Sequence, residues 1–198
     1  MSTPVRPQRA DARSNRARIL DAAEEVFGHG GASASTEDVA RLAGVGIATV
    51  FRHFPTKAEL LDAVLGRRFG RLCERAGELA DGEDPAEALF DLFAELVTDA
   101  PGKIALAEAL EEVSGGATGT AERASAELRE AVGVLLRRAQ EAGAVRGDIA
   151  LPEFYALLVG MSRAGMAASL EPAVRARALG VVFDGLAAPG YRRRSNTM

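Results

Sequence analysis

Residues 36–54 read TEDVARLAGVGIATVFRHF. The first part, 36–43, sets Val39, Ala40 and Ala43 at helical spacing. Ser35 precedes it and Asp38 follows, the pattern of a capped helix start, with Thr36 as the alternative cap. Gly44-Val45-Gly46 reads as a tight turn, with Gly44 where the chain needs a positive φ. A second short helix is expected over 47–53, and Pro55 stops it. Two short helices joined by a glycine turn form a helix-turn-helix, placed here at 35–54.

The residue types fit that geometry. Val39, Ala43, Val45 and Val50 are apolar where the two helices must meet the helix before them, and Ala40 is small where the second helix crosses closest. Gly46 and Ala48 keep the start of the second helix slim, so it can approach a groove. Thr49, Arg52, His53 and Lys57 supply donors for phosphates or base edges. The turn alone suits an αα-corner in an ordinary bundle equally well. The surrounding charge favours DNA. Residues 1–75 hold 12 Lys+Arg and 9 Asp+Glu, whereas 76–198 hold 12 and 19, within a net charge of −4. Arg6, Arg9, Arg13, Arg16 and Arg18 face a single acid, Asp11, over 1–18. By itself that arm reads as a solvated tail. Next to the Arg52–His53–Lys57 cluster it reads as one end of the chain meeting a polyanion.

Outward from this motif the chain reads as helix almost throughout. Ile19, Ala23, Val26 and Phe27 share one face of a helix over 13–28, which Gly28-His29-Gly30-Gly31 ends. His29 reads as a residue meeting the dipole of that helix end. Thr56 and Glu59 form a capping box for a helix over 56–79. Asp84 caps a helix from Pro85 to the break at Pro101-Gly102, and further helices are expected over 103–113, 120–142, 152–169 and 172–188. Alanine, the best helix former, supplies 39 of the 198 residues. The expectation is an all-α chain of about nine helices: a three-helix DNA-binding domain over 12–72 and a helical domain over 73–190.

Composition narrows the function. A hydrophobic fraction of 47% argues against disorder. No apolar run approaches the roughly 18 residues of a membrane span. The first ten residues carry no signal-peptide core, so a cytoplasmic, nucleoid-associated protein is expected. Cys73 alone excludes a disulfide framework and reads as a buried small hydrophobe. With only His29 and His53 beside it, neither a metal site nor a cofactor is expected. No Gly-x-Ser-x-Gly, His-Glu-x-x-His or Cys/His cluster occurs, so no catalytic residue is assigned. Gly44-Val45-Gly46 only imitates a dinucleotide loop, because it follows a helix and lacks the third glycine.

Residues 16–65, RARILDAAEEVFGHGGASASTEDVARLAGVGIATVFRHFPTKAELLDAVL, resemble the DNA-binding domain of the tetracycline-repressor (TetR) family. The family frame is present in Thr36, Ala43-Gly44-Val45, Thr49 to Phe51 and Phe54 to Lys57. The resemblance implies a sequence-specific transcriptional regulator, a repressor released from a palindromic operator by a small molecule. It implies that Thr36 binds a phosphate at the start of its helix. It implies that Ile47, Ala48 and Thr49 face the major groove behind the slim start at Gly46, that Thr49 and His53 contact phosphates, and that Lys57 pairs with another. Phe51 stands where the family more often has Tyr and lacks the hydroxyl. Arg52 is left between a guanine edge and a phosphate.

The rest of the chain is similar to the family only in helix number and layout. That likeness implies an effector-binding and dimerisation domain. Phe93, Phe154, Met161, Arg163 and Met166 are its candidate ligand residues, with plain core as the alternative for the aromatics and methionines. Arg163 lies in an otherwise apolar stretch and suits an anionic ligand, an acid across a dimer, or a helix edge. Helices 8 and 9 in chain order carry small residues in rows: Gly160, Ala164 and Ala168, then Ala176, Gly180, Phe183 and Ala187. Such rows let helices approach closely and suggest a homodimer built as a four-helix bundle about a two-fold axis, with packing inside the monomer against the fifth and seventh helices as the alternative. A helical protein-binding adaptor is the second reading, and an enzyme the third.

Overall fold

The computed structural model describes residues 6–116, 119–167 and 170–191. Among them are eight α-helices: α1 (Arg6–Gly30), α2 (Thr36–Ala43), α3 (Ile47–His53), α4 (Lys57–Ala80), α5 (Pro85–Ser114), α6 (Thr120–Glu141), α7 (Leu151–Ala167) and α8 (Pro172–Leu186). A 3-10 turn, Gly31–Ser33, follows α1. The chain is all-α as expected, with eight described helices where nine were expected. The difference lies in α5, which runs through Pro101 instead of breaking there. Proline removes one intrahelical bond, but Leu92, Phe93, Leu96 and Val97 before it and Leu106, Ala109 and Leu110 after it are all buried. Burial on both flanks outweighs one missing bond. The first helix also begins earlier than expected, at Arg6, so most of the basic arm is helical.

Two compact units emerge. One comprises Met1–Phe69 and Gly102–Ala124, the other Gly70–Pro101 and Ser125–Met198. The helix-turn-helix unit therefore includes the end of α5 and the start of α6.

In the first unit, Ile19, Ala23 and Phe27 of α1 meet Val39, Ala40 and Ala43 of α2, Val50 of α3, and Leu60, Leu61, Val64 and Leu65 of α4. Leu106, Leu110 and Ala121 join the same cluster. Each fully buried Leu or Phe contributes roughly 1.5–3 kcal/mol. Polar links fix α4. Arg67 reaches Asp21 at 2.7 Å and Glu24 at 2.9 Å, and Arg68 reaches Glu24 at 3.2 Å. Asp62 of α4 accepts the amides of Thr120 at 3.0 Å and Ala121 at 3.3 Å, so one helix caps the N-terminus of another. Gly66 permits that approach, since a Cβ there would lie 2.7 Å from Thr120 Cγ2 and 3.2 Å from its backbone carbon.

The second unit is built on aromatics. Phe93 meets Phe154 edge-on at 5.3 Å and Phe183 at 5.5 Å, and Phe90 lies 4.8 Å from Phe183. Asp84 caps α5 through the amides of Ala86 and Glu87, as its position suggested. Arg138 donates to the Ala80 carbonyl at the end of α4. Cys73 is half-buried, and burial pushes its thiol up.

A DNA-binding surface

The helix-turn-helix is set by local capping. Ser35 is the N-cap of α2: its hydroxyl accepts the Asp38 amide at 3.1 Å and donates to the Asp38 carboxylate at 2.8 Å. That bond holds the Asp38 carboxyl below its ordinary range. Gly44 ends α2 at φ 64°, ψ 38°, the left-handed region. Its amide and that of Val45 turn back onto carbonyls of α2. One further part leaves no sign in the sequence. Arg18 of α1 donates to the carbonyls of Ala43 and of Gly44, the latter at 3.0 Å. This arginine of the basic arm holds the turn, and its cation sits at a helix C-terminus. A Cβ on Gly44 would lie 3.0 Å from Arg18 Nη2. Gly44→Val is therefore expected to destabilise the chain by about 2 kcal/mol, since left-handed strain and a displaced guanidinium add. A denaturant titration measures it, and a midpoint unchanged from the wild type would refute it.

Beyond the turn, α3 has seven residues and a single buried one, Val50. Gly46, Ala48, Phe51 and Arg52 are exposed. Ile47, Thr49 and His53 are half-buried, and Ile47 packs partly against the core. The expected groove-facing residues thus fall into a solvent-facing set and a set shared with the interior. Phe51, 42% exposed, does not pack inward. Thr36 opens α2 but is only 9% exposed, and its hydroxyl donates to Glu37 at 3.4 Å. Lys57 donates to the Ala34 carbonyl at 2.8 Å and lies 5.4 Å from the centre of the Phe27 ring. Its ammonium thus anchors the loop before α2 beside the recognition helix.

The candidate effector residues lie in the second unit. Phe93 and Phe154 are core residues packed on each other. Met161 is half-buried, whereas Arg163 and Met166 face solvent on α7. On the expected dimer seam, Gly160, Ala164 and Ala176 are exposed and Ala168 lies outside the described residues. Phe183 departs from that reading: it is core of its own unit, stacked on Phe90 and Phe93. The large apolar side chains exposed on α8 are Val174 and Val181. Four-residue spacing marks a helix face but does not say which way it points. Among the described residues no helix is long and apolar enough to cross a membrane.

A capped α2, a left-handed glycine and a short exposed α3 backed by a basic helix define a helix-turn-helix regulator. Family comparisons agree at both ends of the chain. Residues 19–64 match the model of bacterial regulatory proteins of the tetR family, and 84–188 match that of the SbtR-like transcriptional regulator C-terminal domain. The chain belongs to the TetR family. A TetR transcription regulatory protein from Mycobacterium vanbaalenii is 38% identical with a TM-score of 0.73, over 92% of this chain and 100% of that one. A TetR transcriptional regulator from Streptomyces coelicolor is 34% identical with a TM-score of 0.71, over 87% and 98%. The HTH-type transcriptional regulator TtgR of Pseudomonas putida is 38% identical over 103 residues, 48% of this chain and 49% of TtgR. The match thus spans about half the length of that curated relative.

Proposed function

We propose that this protein is a sequence-specific repressor that binds a palindromic operator as a homodimer and leaves it when a small molecule binds. The observation that carries the DNA reading is α3: one buried anchor, Val50, and a solvent-facing surface of Gly46, Ala48, Phe51 and Arg52. A slim helix start can enter a major groove, while Thr49, Arg52 and His53 supply donors at the rim. Thr36 and Lys57 complete the phosphate contacts in this reading. Domain roles follow the division at 72/73: operator recognition over 12–72, effector binding and dimerisation over 73–190. The protein acts in the cytoplasm, on the nucleoid.

Two recognition helices must lie about 34–36 Å apart to occupy successive major grooves. An effector that binds better to a dimer with another spacing shifts the population away from DNA. Three helices, α4, α5 and α6, contribute residues to both compact units; α4, Lys57–Ala80, follows the recognition helix directly and is the segment assigned to carry the change. The effector is assigned to the second unit, with Phe93, Phe154 and Met161 as the first residues to vary. Arg163 and Met166, being exposed on α7, are assigned to the dimer face instead.

The test is selection of bound duplexes from genomic DNA, followed by affinity measurement at several salt concentrations. Enrichment of a two-fold symmetric sequence, with affinity falling steeply as salt rises, is the expected result. No enrichment, or binding indifferent to salt, would overturn the reading and favour a protein-binding adaptor. Within that assay Lys57→Ala should weaken all duplexes alike and reduce the salt slope by about one for each phosphate it no longer neutralises. A weakening confined to the selected sequence at unchanged slope would remove Lys57 from the phosphate-binding set.

A further inference from the structure

A cleft of about 420 Å3 opens within the first compact unit. It is lined by Arg16 of α1, His53 and Phe54 at the end of α3, Glu59 and Asp62 of α4, and Leu110 of α5. The floor is apolar: Phe54 is 4% exposed and Leu110 1%. The volume falls in the range of small-molecule sites, roughly 300–1,000 Å3.

The polar groups around this floor are unequally engaged. Asp62 accepts the two amides that open α6. Glu59 accepts the Thr56 hydroxyl, and its own amide donates back to Thr56 Oγ. Both acids therefore serve helix ends. Among the described residues Arg16 meets only the Phe54 ring, its guanidinium 5.0 Å from the ring centre, and no carboxylate or carbonyl takes its donors. His53 likewise has only a tilted ring contact with Phe54, at 6.4 Å, among the described residues. Arg16, which is exposed, and His53 thus keep donors that no other described residue takes, while Glu59 keeps one acceptor oxygen, Oε2, on the other side of the cleft. A guanidinium presents a fork matched to a carboxylate.

We infer that this cleft binds an organic carboxylate with an apolar body, its charge on Arg16 beside His53 and its body over Phe54 and Leu110. The site is separate from the effector residues of the second unit. It shares His53 with the DNA-facing surface, so an occupant would compete with a phosphate for that side chain. In that one respect the inference rests on the DNA reading.

The probe is sodium benzoate, with benzamide as its uncharged counterpart of like shape. Both are titrated into the full chain while the Arg16 Nε–Hε and His53 ring resonances are followed by NMR. Benzoate should shift both saturably, and benzamide should not. Arg16→Gln should raise the benzoate dissociation constant at least about tenfold, the loss of one charge-assisted hydrogen bond, with the melting temperature unchanged. Equal response to benzamide, an Arg16→Gln chain that binds benzoate like the wild type, or no shift at all would each overturn the site. Duplex binding separates this inference from the DNA reading. A chain that takes benzoate on Arg16 but binds no duplex supports the cleft and refutes DNA recognition. A chain that binds duplex but ignores benzoate refutes the cleft alone.

Discussion

Ala48→Glu is expected to abolish operator binding while leaving the thermal unfolding curve almost unchanged. Ala48 is exposed at the second position of α3. A carboxylate there touches no core residue, and negative charge in a first helical turn is mildly favourable. The stability change should stay within about 0.5 kcal/mol, as for ordinary surface substitutions. Against a groove flanked by phosphates the same carboxylate is a buried like charge, which costs several kcal/mol. Affinity for the selected duplex should therefore fall at least about a hundredfold. Fluorescence anisotropy and circular dichroism measure the two quantities on one sample. Retained binding would remove Ala48 from the interface, and a lowered melting temperature would show that it contributes to the core.

The second large effect concerns assembly. On α7, Leu157, Val159 and Met166 are exposed beside Gly160 and Ala164, and on α8 Val174 and Val181 are exposed, the last at 73%. In the proposed dimer these exposed apolar side chains are the surface to be covered. Ala164→Arg should then yield monomer by light scattering, keep its helical circular dichroism, and lose roughly 10²–10⁴-fold in operator affinity as the half-sites uncouple. A variant that remains dimeric would move the interface elsewhere.

The parts of this chain written in local chemistry were readable. Helices α2 and α3 are expected over 36–43 and 47–53 and are found at Thr36–Ala43 and Ile47–His53. Their ends are fixed by Ser35, Gly44 and Pro55, signals lying within or beside the residues they control. The unbroken α5 was not readable, because Pro101-Gly102 is a local stop and the apolar residues that override it bury in tertiary packing. Arg18 reads from sequence as one charge of an arm. Its partners, the carbonyls of Ala43 and Gly44, lie far along the chain and are backbone atoms, which leave no trace in residue type. Facing direction is equally non-local, so the small-residue rows include Phe183, an inward side chain, in an outward seam.

The single anchor of α3 has a consequence for how such a protein diverges. Folding depends on Val50, whereas Gly46, Ala48, Phe51 and Arg52 contribute no buried side chain to the core. Substitutions at those four positions are nearly neutral for stability, so a duplicated gene can drift there without losing the scaffold. New operator preferences become accessible one residue at a time, through intermediates that remain folded, and a library randomised at the same four positions should be rich in soluble members.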